Sequence, residues 1–190
     1  MCPAERNLHE RDAGLVDRVR EGDREAFGAL VGHYIGQARR VARAVLRDQD
    51  DADDAVQDAF LNALTRLDQY DERRPFGPWL LRIVANAALD RVRRRAIRAA
   101  DPISDRLPQS ASGPAEDAEH RMMLAQLEQA LRELPERRRM AVVLFDVEGY
   151  EHKEIAKILG VPEGTVRSDV FHARRHLREA LAGWRERADG

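Results

Sequence analysis

The chain has one cysteine, Cys2. Neither a disulfide framework nor a zinc cluster can be built on it. Its six histidines show no zinc-ligand spacing, and no glycine-rich phosphate loop is present. With no nucleophile, metal site or phosphate cradle, the expectation is a non-enzyme that uses no cofactor, no metal and no small-molecule substrate. No run approaches the roughly 20 apolar residues that a membrane span needs. The first residues, MCPAERNLHERDAG, lack the apolar core of a signal peptide, so the cytoplasm is the expected compartment. A large excess of one charge is missing too. The formal net charge is −2 over 190 residues, which excludes a generally basic nucleic-acid coat. Any affinity for DNA must come from local basic patches. Aromatic residues make up only 5%, which suits modest cores in a soluble helical protein.

What the chain does have is helical periodicity. Phe27, Leu30, Val31, Tyr34, Ile35, Ala38, Val41, Ala42 and Val45 recur at helical spacing behind Asp23, a suitable N-cap. Ala55, Val56, Ala59, Phe60, Ala63, Leu64 and Leu67 mark the next helix. A polar loop, Asp68 to Gly77, follows. Pro78 then stands where a first helical residue should, before a helix from Trp79 to about Arg95. Pro102, Pro108, Gly113 and Pro114 punctuate a segment poor in large apolar residues, read as a flexible linker over 99–118. Helices resume near Glu119 and are broken at Pro135. The chain closes on GYEHKEIAKILGVPEGTVRSDVFHARRHL, Gly149 to Leu177. There Ile155, Ala156 and Leu159 give one apolar stripe, and Gly160 to Pro162 break it. Val166, Val170, Ala173 and Leu177 restart the stripe on a helix whose other face carries Arg167, Ser168, His172, Arg174 and Arg175. This is the layout of a helix-turn-helix, with an inward stripe and an outward polar face for the major groove. The fold expected is all-α, with two small helical domains, 12–98 and 119–182, on a tether. Polar tails flank them at 1–11 and 183–190. The tether can reach about 65 Å fully extended.

Charge is clustered as well. Asp48, Asp50, Asp51, Asp53, Asp54 and Asp58 crowd the start of one helix. One or two serve as caps and dipole partners. The rest form either a solvated face or a docking surface for a basic protein. Arg91, Arg93, Arg94, Arg95 and Arg98 sit at the other end of the same domain, so two partners are implied, a protein and a polyanion. Tyr70, Arg73, Arg74, Phe76 and Trp79 put aromatics beside arginines, a combination suited to unstacked bases. Core packing is the competing reading of Trp79. Asn86 either meets a base edge or satisfies nearby backbone. Asp146 and Glu148 read as a solvated pair at a helix end.

These blocks resemble the sigma-70 family of bacterial sigma factors, in its extracytoplasmic-function (ECF) group. Asp53 to Phe60, DDAVQDAF, resembles the D-x-D-x-V-Q-[DE]-x-F block. Trp79 to Asn86, WLLRIVAN, followed by Asp90 and Arg93-Arg94, is similar to the W-L-x-x-I-x-x-N-x-x-x-D-x-x-R-R block. Leu134-Pro135 and Gly149 to Leu177 look like region 4. The resemblance implies that the first domain, region 2, docks on the clamp helices of the polymerase β′ subunit through Asp50, Asp51, Asp53, Asp54, Gln57 and Asp58. It implies −10 recognition and capture of a flipped base by Tyr70, Arg73, Arg74, Phe76, Trp79, Asn86, Arg93 and Arg94. Region 4 would contact the β flap and read the −35 duplex. Ser168, Phe171 and His172 would meet base edges, beside Thr165, while Arg167, Arg174 and Arg175 would grip phosphates. An anti-sigma factor, often membrane-anchored, is the further partner implied. The chain departs from the family's usual pattern at Asp169, His172 and Glu151. Asp169 is expected either to accept from a cytosine amino group or to pair with Arg167 or His172. The alternative is a conventional helix-turn-helix regulator with an N-terminal sensing or dimerisation domain. It accounts for Gly149 to Leu177 but leaves the acidic run and the Trp79–Arg94 block without a role.

Overall fold

The computed structural model describes residues 3–46, 48–98 and 117–184, and every regular element among them is helical. In chain order these are α1 (Pro3–Arg20), α2 (Arg24–Arg43), α3 (Gln49–Thr65) and α4 (Phe76–Arg98), then α5 (Asp117–Glu133), α6 (Glu136–Val142), α7 (His152–Leu159) and α8 (Glu163–Ala180). A 3-10 turn, Leu67–Gln69, links α3 to α4, and α6 runs on into a wider turn, Val143–Val147. The all-α reading holds. The residues read as an N-terminal tail are helical from Pro3 onward. The expected linker lies outside the described residues up to 116, and the expected C-terminal tail does so beyond 184.

Local chemistry sets the helix ends. The Asp23 carboxylate accepts from the N–H groups of Glu25 (2.9 Å) and Ala26 (3.2 Å), capping α2. Asp48 does the same for α3, accepting from Asp50 (2.9 Å) and Asp51 (3.0 Å). Helix α4 starts at Phe76, three residues before the expected Trp79. Pro78 therefore falls within its first turn, where N–H groups have no intrahelical acceptor and proline costs no hydrogen bond. At the foot of α7, Glu154 accepts from the Glu151 N–H at 3.1 Å. Gly160 ends that helix in the left-handed region, at φ 66°, which a side chain would disfavour.

The two helical halves share a continuous buried cluster. Val16, Leu30, Val41, Val56, Leu80, Leu81 and Val84 of the first half form a continuous buried cluster with Met140, Leu144, Ile155, Ile158, Val166 and Val170 of the second. Burying a side chain of this size is worth about 1.5–3 kcal/mol. Helices α6 and α7 are too short to build a core by themselves: α7 packs on α4 and α8, α6 packs on α8, and the turn after α6 meets α2. The contact depends on Gly77. A Cβ there would lie 2.8 Å from the Tyr150 hydroxyl oxygen and 3.0 Å from Cε1 of Tyr34. Around this point Tyr34 donates to the buried Asp12 of α1, and Tyr150 donates to Gln37 at 3.4 Å. Burial raises both tyrosine hydroxyls above their ordinary pKa, so both remain protonated donors. Arg40 of α2 closes the seam by donating to the buried Glu148 carboxylate at 3.0 Å. A smaller cluster of Leu134, Val142 and Ala173, with Leu131 and Leu177, joins α5 and α6 to α8.

Candidate nucleic-acid interface

Helix α8 sorts its residues by face. Val166, Asp169, Val170 and Ala173 point inward and are buried. Thr165, Ser168, His172 and Arg175 form one outward row at three- and four-residue steps. Arg167, Phe171 and Arg174 form a second row beside it. Phe171 is 61% exposed and meets the His172 ring edge-on, with centroids 5.4 Å apart. All seven residues expected to face DNA thus lie on the outward or flanking surface of one helix.

The basic side chains on that surface are held by acids. Arg167 donates to Glu163 at 2.6 Å, and that bond draws the Glu163 carboxyl below its ordinary pKa. Arg175 lies 3.8 Å from Glu179. Arg174 makes a forked pair with Asp146, at 2.9 and 3.1 Å from Nε, and its guanidinium stands 4.8 Å above the Phe145 ring. Two corrections follow. Asp146 and Glu148 are not a solvated pair, because one holds Arg174 and the other holds Arg40. Asp169 is not turned toward the groove and pairs with neither Arg167 nor His172. It is 4% exposed and faces α6, where Arg137 donates to it at 2.8 Å and Arg138 lies 3.5 Å away.

In the first half, Trp79, Asn86 and Arg93 recur every seven residues along α4, close to two helical turns, and so share a strip. Asn86, Arg93 and Arg94 are exposed, and Trp79 is half-buried. Arg73 and Arg74 are exposed in the turn before α4. Tyr70 and Phe76 are not available to bases. They are 4% and 1% exposed, and with Trp79 they form an aromatic cluster with centroids 5.2–5.4 Å apart. The Tyr70 hydroxyl donates to the Arg74 carbonyl, and burial pushes its pKa up to about 12. Their place beside arginines suggested stacking on DNA. The structure gives them to the core: α4 begins at Phe76 and turns that ring inward, and Tyr70, at the end of the 3-10 turn, packs edge-on against it.

The acidic run and the basic run lie side by side rather than at opposite ends, since the C-terminal part of α4 packs along α3. Arg91 reaches Asp58 (2.8 Å), Asp54 (3.5 Å) and Asp51 (3.7 Å), and Arg95 reaches Asp51 (3.2 Å). Arg39 holds Asp53 at 3.0 Å. These are exposed pairs, worth about 0–1 kcal/mol each. Their main effect is to orient carboxylates that remain open to solvent, Asp54 at 63% and Asp58 at 57%. Gln57 and Asp50 are exposed beside them. Leu61 (55% exposed) and Leu64 (40%) continue this row, although periodicity had turned Leu64 inward. The resulting patch is acidic at one end and apolar at the other. Leu61 was legible from its spacing of three and four residues from Asp58 and Gln57.

A helix-turn-helix joined to a second helical domain that carries its own charged strip is the layout of a transcription factor with two DNA contacts. The family model for Sigma-70 region 2 matches residues 30–97, and that for Sigma-70, region 4 matches residues 124–177. The chain is 39% identical over 183 residues to the ECF RNA polymerase sigma factor SigM of Mycobacterium tuberculosis H37Rv, covering 95% of this chain and 91% of SigM. It is 36% identical over 178 residues to the ECF RNA polymerase sigma-E factor of Escherichia coli K12, covering 87% and 92%. Among solved structures, CnrH in complex with the cytosolic domain of CnrY superposes with a TM-score of 0.68 at 30% identity, covering 91% of this chain and 98% of CnrH. The sigma factor RpoE in complex with the anti-sigma factor NepR, from Bartonella quintana, gives 0.68 at 26% identity, covering 82% and 96%. The chain belongs to the ECF RNA polymerase sigma factors. Proteins of this family bind core RNA polymerase and direct promoter-specific transcription initiation by reading −35 and −10 elements, and this chain does the same.

Proposed function

We propose a division of labour among three helices. Helix α3 docks on the polymerase clamp helices through Asp50, Asp51, Asp53, Asp54, Gln57 and Asp58, and Leu61 and Leu64 extend the contact. Helix α4 and the turn before it handle the −10 element: Asn86 meets a base, Arg73, Arg74, Arg93 and Arg94 hold backbone, and Trp79 stacks at the edge of its aromatic cluster. Tyr70 and Phe76 support that cluster from below. Helix α8 reads the −35 duplex, with Ser168, Phe171 and His172 on base edges, Thr165 beside them, and Arg167, Arg174 and Arg175 on phosphates.

The single observation that carries this reading is the sorting of α8, whose apolar stripe is buried while Thr165, Arg167, Ser168, Phe171, His172, Arg174 and Arg175 lie on its outward and flanking surface and Asp169 alone of its charged side chains is buried. Phosphate oxygens displace Glu163, Asp146 and Glu179 from their arginines when DNA arrives. Polymerase binding energy offsets base unstacking, so the protein performs no catalysis and melts the −10 element without an ATPase of its own. It works in the cytoplasm, where polymerase is. Among the described residues no helix is long and apolar enough to cross a membrane. Two structures of similar fold hold CnrY and the anti-sigma factor NepR, which supports an anti-sigma partner here as well.

Run-off transcription with core polymerase on a fragmented host genome tests the reading. New starts that share one −35 and −10 pair are expected. No new starts, with tight binding of the protein alone to duplex DNA, would favour a conventional regulator.

A further inference from the structure

Asp169 is the buried carboxylate of the recognition helix. It occupies the inward stripe between Val166 and Val170, where an apolar side chain would complete the pattern. A carboxylate there is costly unless it is paired and hydrogen-bonded. Both of its oxygens face arginines of one neighbouring helix, one through a hydrogen bond and the other through an ion pair. Oδ2 accepts from Arg137 Nε at 2.8 Å, and Oδ1 lies 3.5 Å from Arg138 Nε. The pair is sheltered on one side only. The Asp169 side chain is 6% exposed, whereas those of Arg137 and Arg138 are 51% and 33% exposed. A hydrogen bond from Arg137 and the adjacent charge of Arg138 give the buried carboxylate a preferred direction toward α6, which an apolar stripe would not.

Ser168 precedes Asp169 directly, and His172 lies three residues on, so any roll of the helix at Asp169 moves both. We propose that Asp169 is a positioning residue for promoter reading. Its pairs with Arg137 and Arg138 set the roll of α8, and thereby the register at which Ser168, Phe171 and His172 meet base edges. Asp169 touches no base itself. This rests on the reading of α8 as the −35 helix. The structure separates it from direct readout, because a carboxylate turned inward onto α6 cannot accept from a cytosine amino group.

The test is transcription by reconstituted holoenzyme from a promoter library with every single substitution in the −35 and −10 elements. Wild type is compared with Asp169→Asn, Arg137→Ala, the swap Asp169→Arg/Arg137→Asp, Ser168→Ala and His172→Ala. Asp169→Asn should flatten −35 discrimination by at least fivefold at several base positions together. Its −10 discrimination and core-polymerase affinity should stay at wild-type values. Arg137→Ala should give a smaller change of the same pattern, and the swap should restore part of the loss. Unchanged −35 discrimination in Asp169→Asn, or a uniform loss with no recovery in the swap, would overturn the proposal. So would loss of discrimination at one base position alone, which marks direct readout. If Asp169→Asn lacks a cooperative melting transition, the half-exposed Arg137→Ala decides: altered discrimination supports the proposal and unaltered discrimination overturns it. Altered discrimination in Ser168→Ala or His172→Ala with none in the Asp169 and Arg137 variants rejects positioning but keeps α8 as the reader. No alteration in any of them rejects α8 as the reader.

Discussion

Phe76 and Phe171 are the same residue type, each on a helix expected to touch DNA, and the fold treats them oppositely. Phe76 is 1% exposed, at the centre of a cluster with Tyr34, Tyr70 and Trp79. Phe171 is 61% exposed and touches only the edge of His172 among the rings. The difference lies in what surrounds each helix. Helix α4 is covered by α1, α2, α3 and α7, so aromatic rings in its first turn have partners on most sides. Helix α8 is the last long element of the fold and is covered along one stripe only. An aromatic beside arginines is therefore open to a partner where neighbours leave it bare and a core residue where they do not.

Substitution separates the two rings most sharply. Phe76→Ala should cost roughly 3–5 kcal/mol of stability. Phe171→Ala should cost under about 0.5 kcal/mol, as surface changes do, yet reduce transcription from the cognate promoter. Thermal melting and run-off assays on both variants check this. Equal destabilisation would erase the contrast.

The seam between the halves gives the next largest effect. Gly77→Ala sets a methyl against Tyr150 and Tyr34 and should cost about 1–3 kcal/mol. Small-angle scattering of the free chain should report a larger radius of gyration. An unchanged radius together with unchanged melting would mean that the shared core is not formed in solution.

The charged faces come third. Asp54→Lys with Asp58→Lys should weaken core-polymerase binding at least tenfold, about 1.4 kcal/mol, while sparing the fold, since the pairs with Arg91 are exposed. Wild-type affinity in a fluorescence titration would remove α3 from the docking surface. Arg174→Ala should lower the salt dependence of promoter binding by about one phosphate contact. A changed base preference instead would mean that Arg174 reads bases.

The smallest effect is a pH dependence. The Asp23 carboxyl is held below its ordinary pKa, chiefly by the hydrogen bond from Arg18 and then by the Ala26 N–H. Its contribution is present above the ordinary carboxylate pKa and fades as pH falls through the lower folded value. Asp23→Asn keeps a capping oxygen but removes that titration, so its melting temperature should vary less between pH 5 and 3. Parallel curves for the two proteins would contradict this.

These contrasts mark how far the sequence could be read. Helix spacing and caps were legible because they are local: Asp23, Gly160 and the stripe Val166, Val170, Ala173 all stand where the pattern puts them, and one of the six aspartates, Asp48, caps α3. The outward face of α8 was legible for the same reason. Partnerships across elements were not. Nothing in the run Asp48 to Asp58 shows that Arg91 will bridge three of its members from another helix. Nothing near Asp169 points to Arg137, thirty-two residues earlier. The shared core escaped for the same reason, since a Pro-rich segment reads as a tether whatever the fate of the domains it joins.

The most direct measurement of the division of labour is a base-preference map of the reconstituted holoenzyme across both promoter elements, made with wild type, Asn86→Ala and His172→Ala. The account predicts that Asn86→Ala changes preference only within the −10 element and His172→Ala only within the −35 element. A change in the opposite element, or an equal loss across both with preferences intact, would contradict the assignment of α4 and α8 to separate sites.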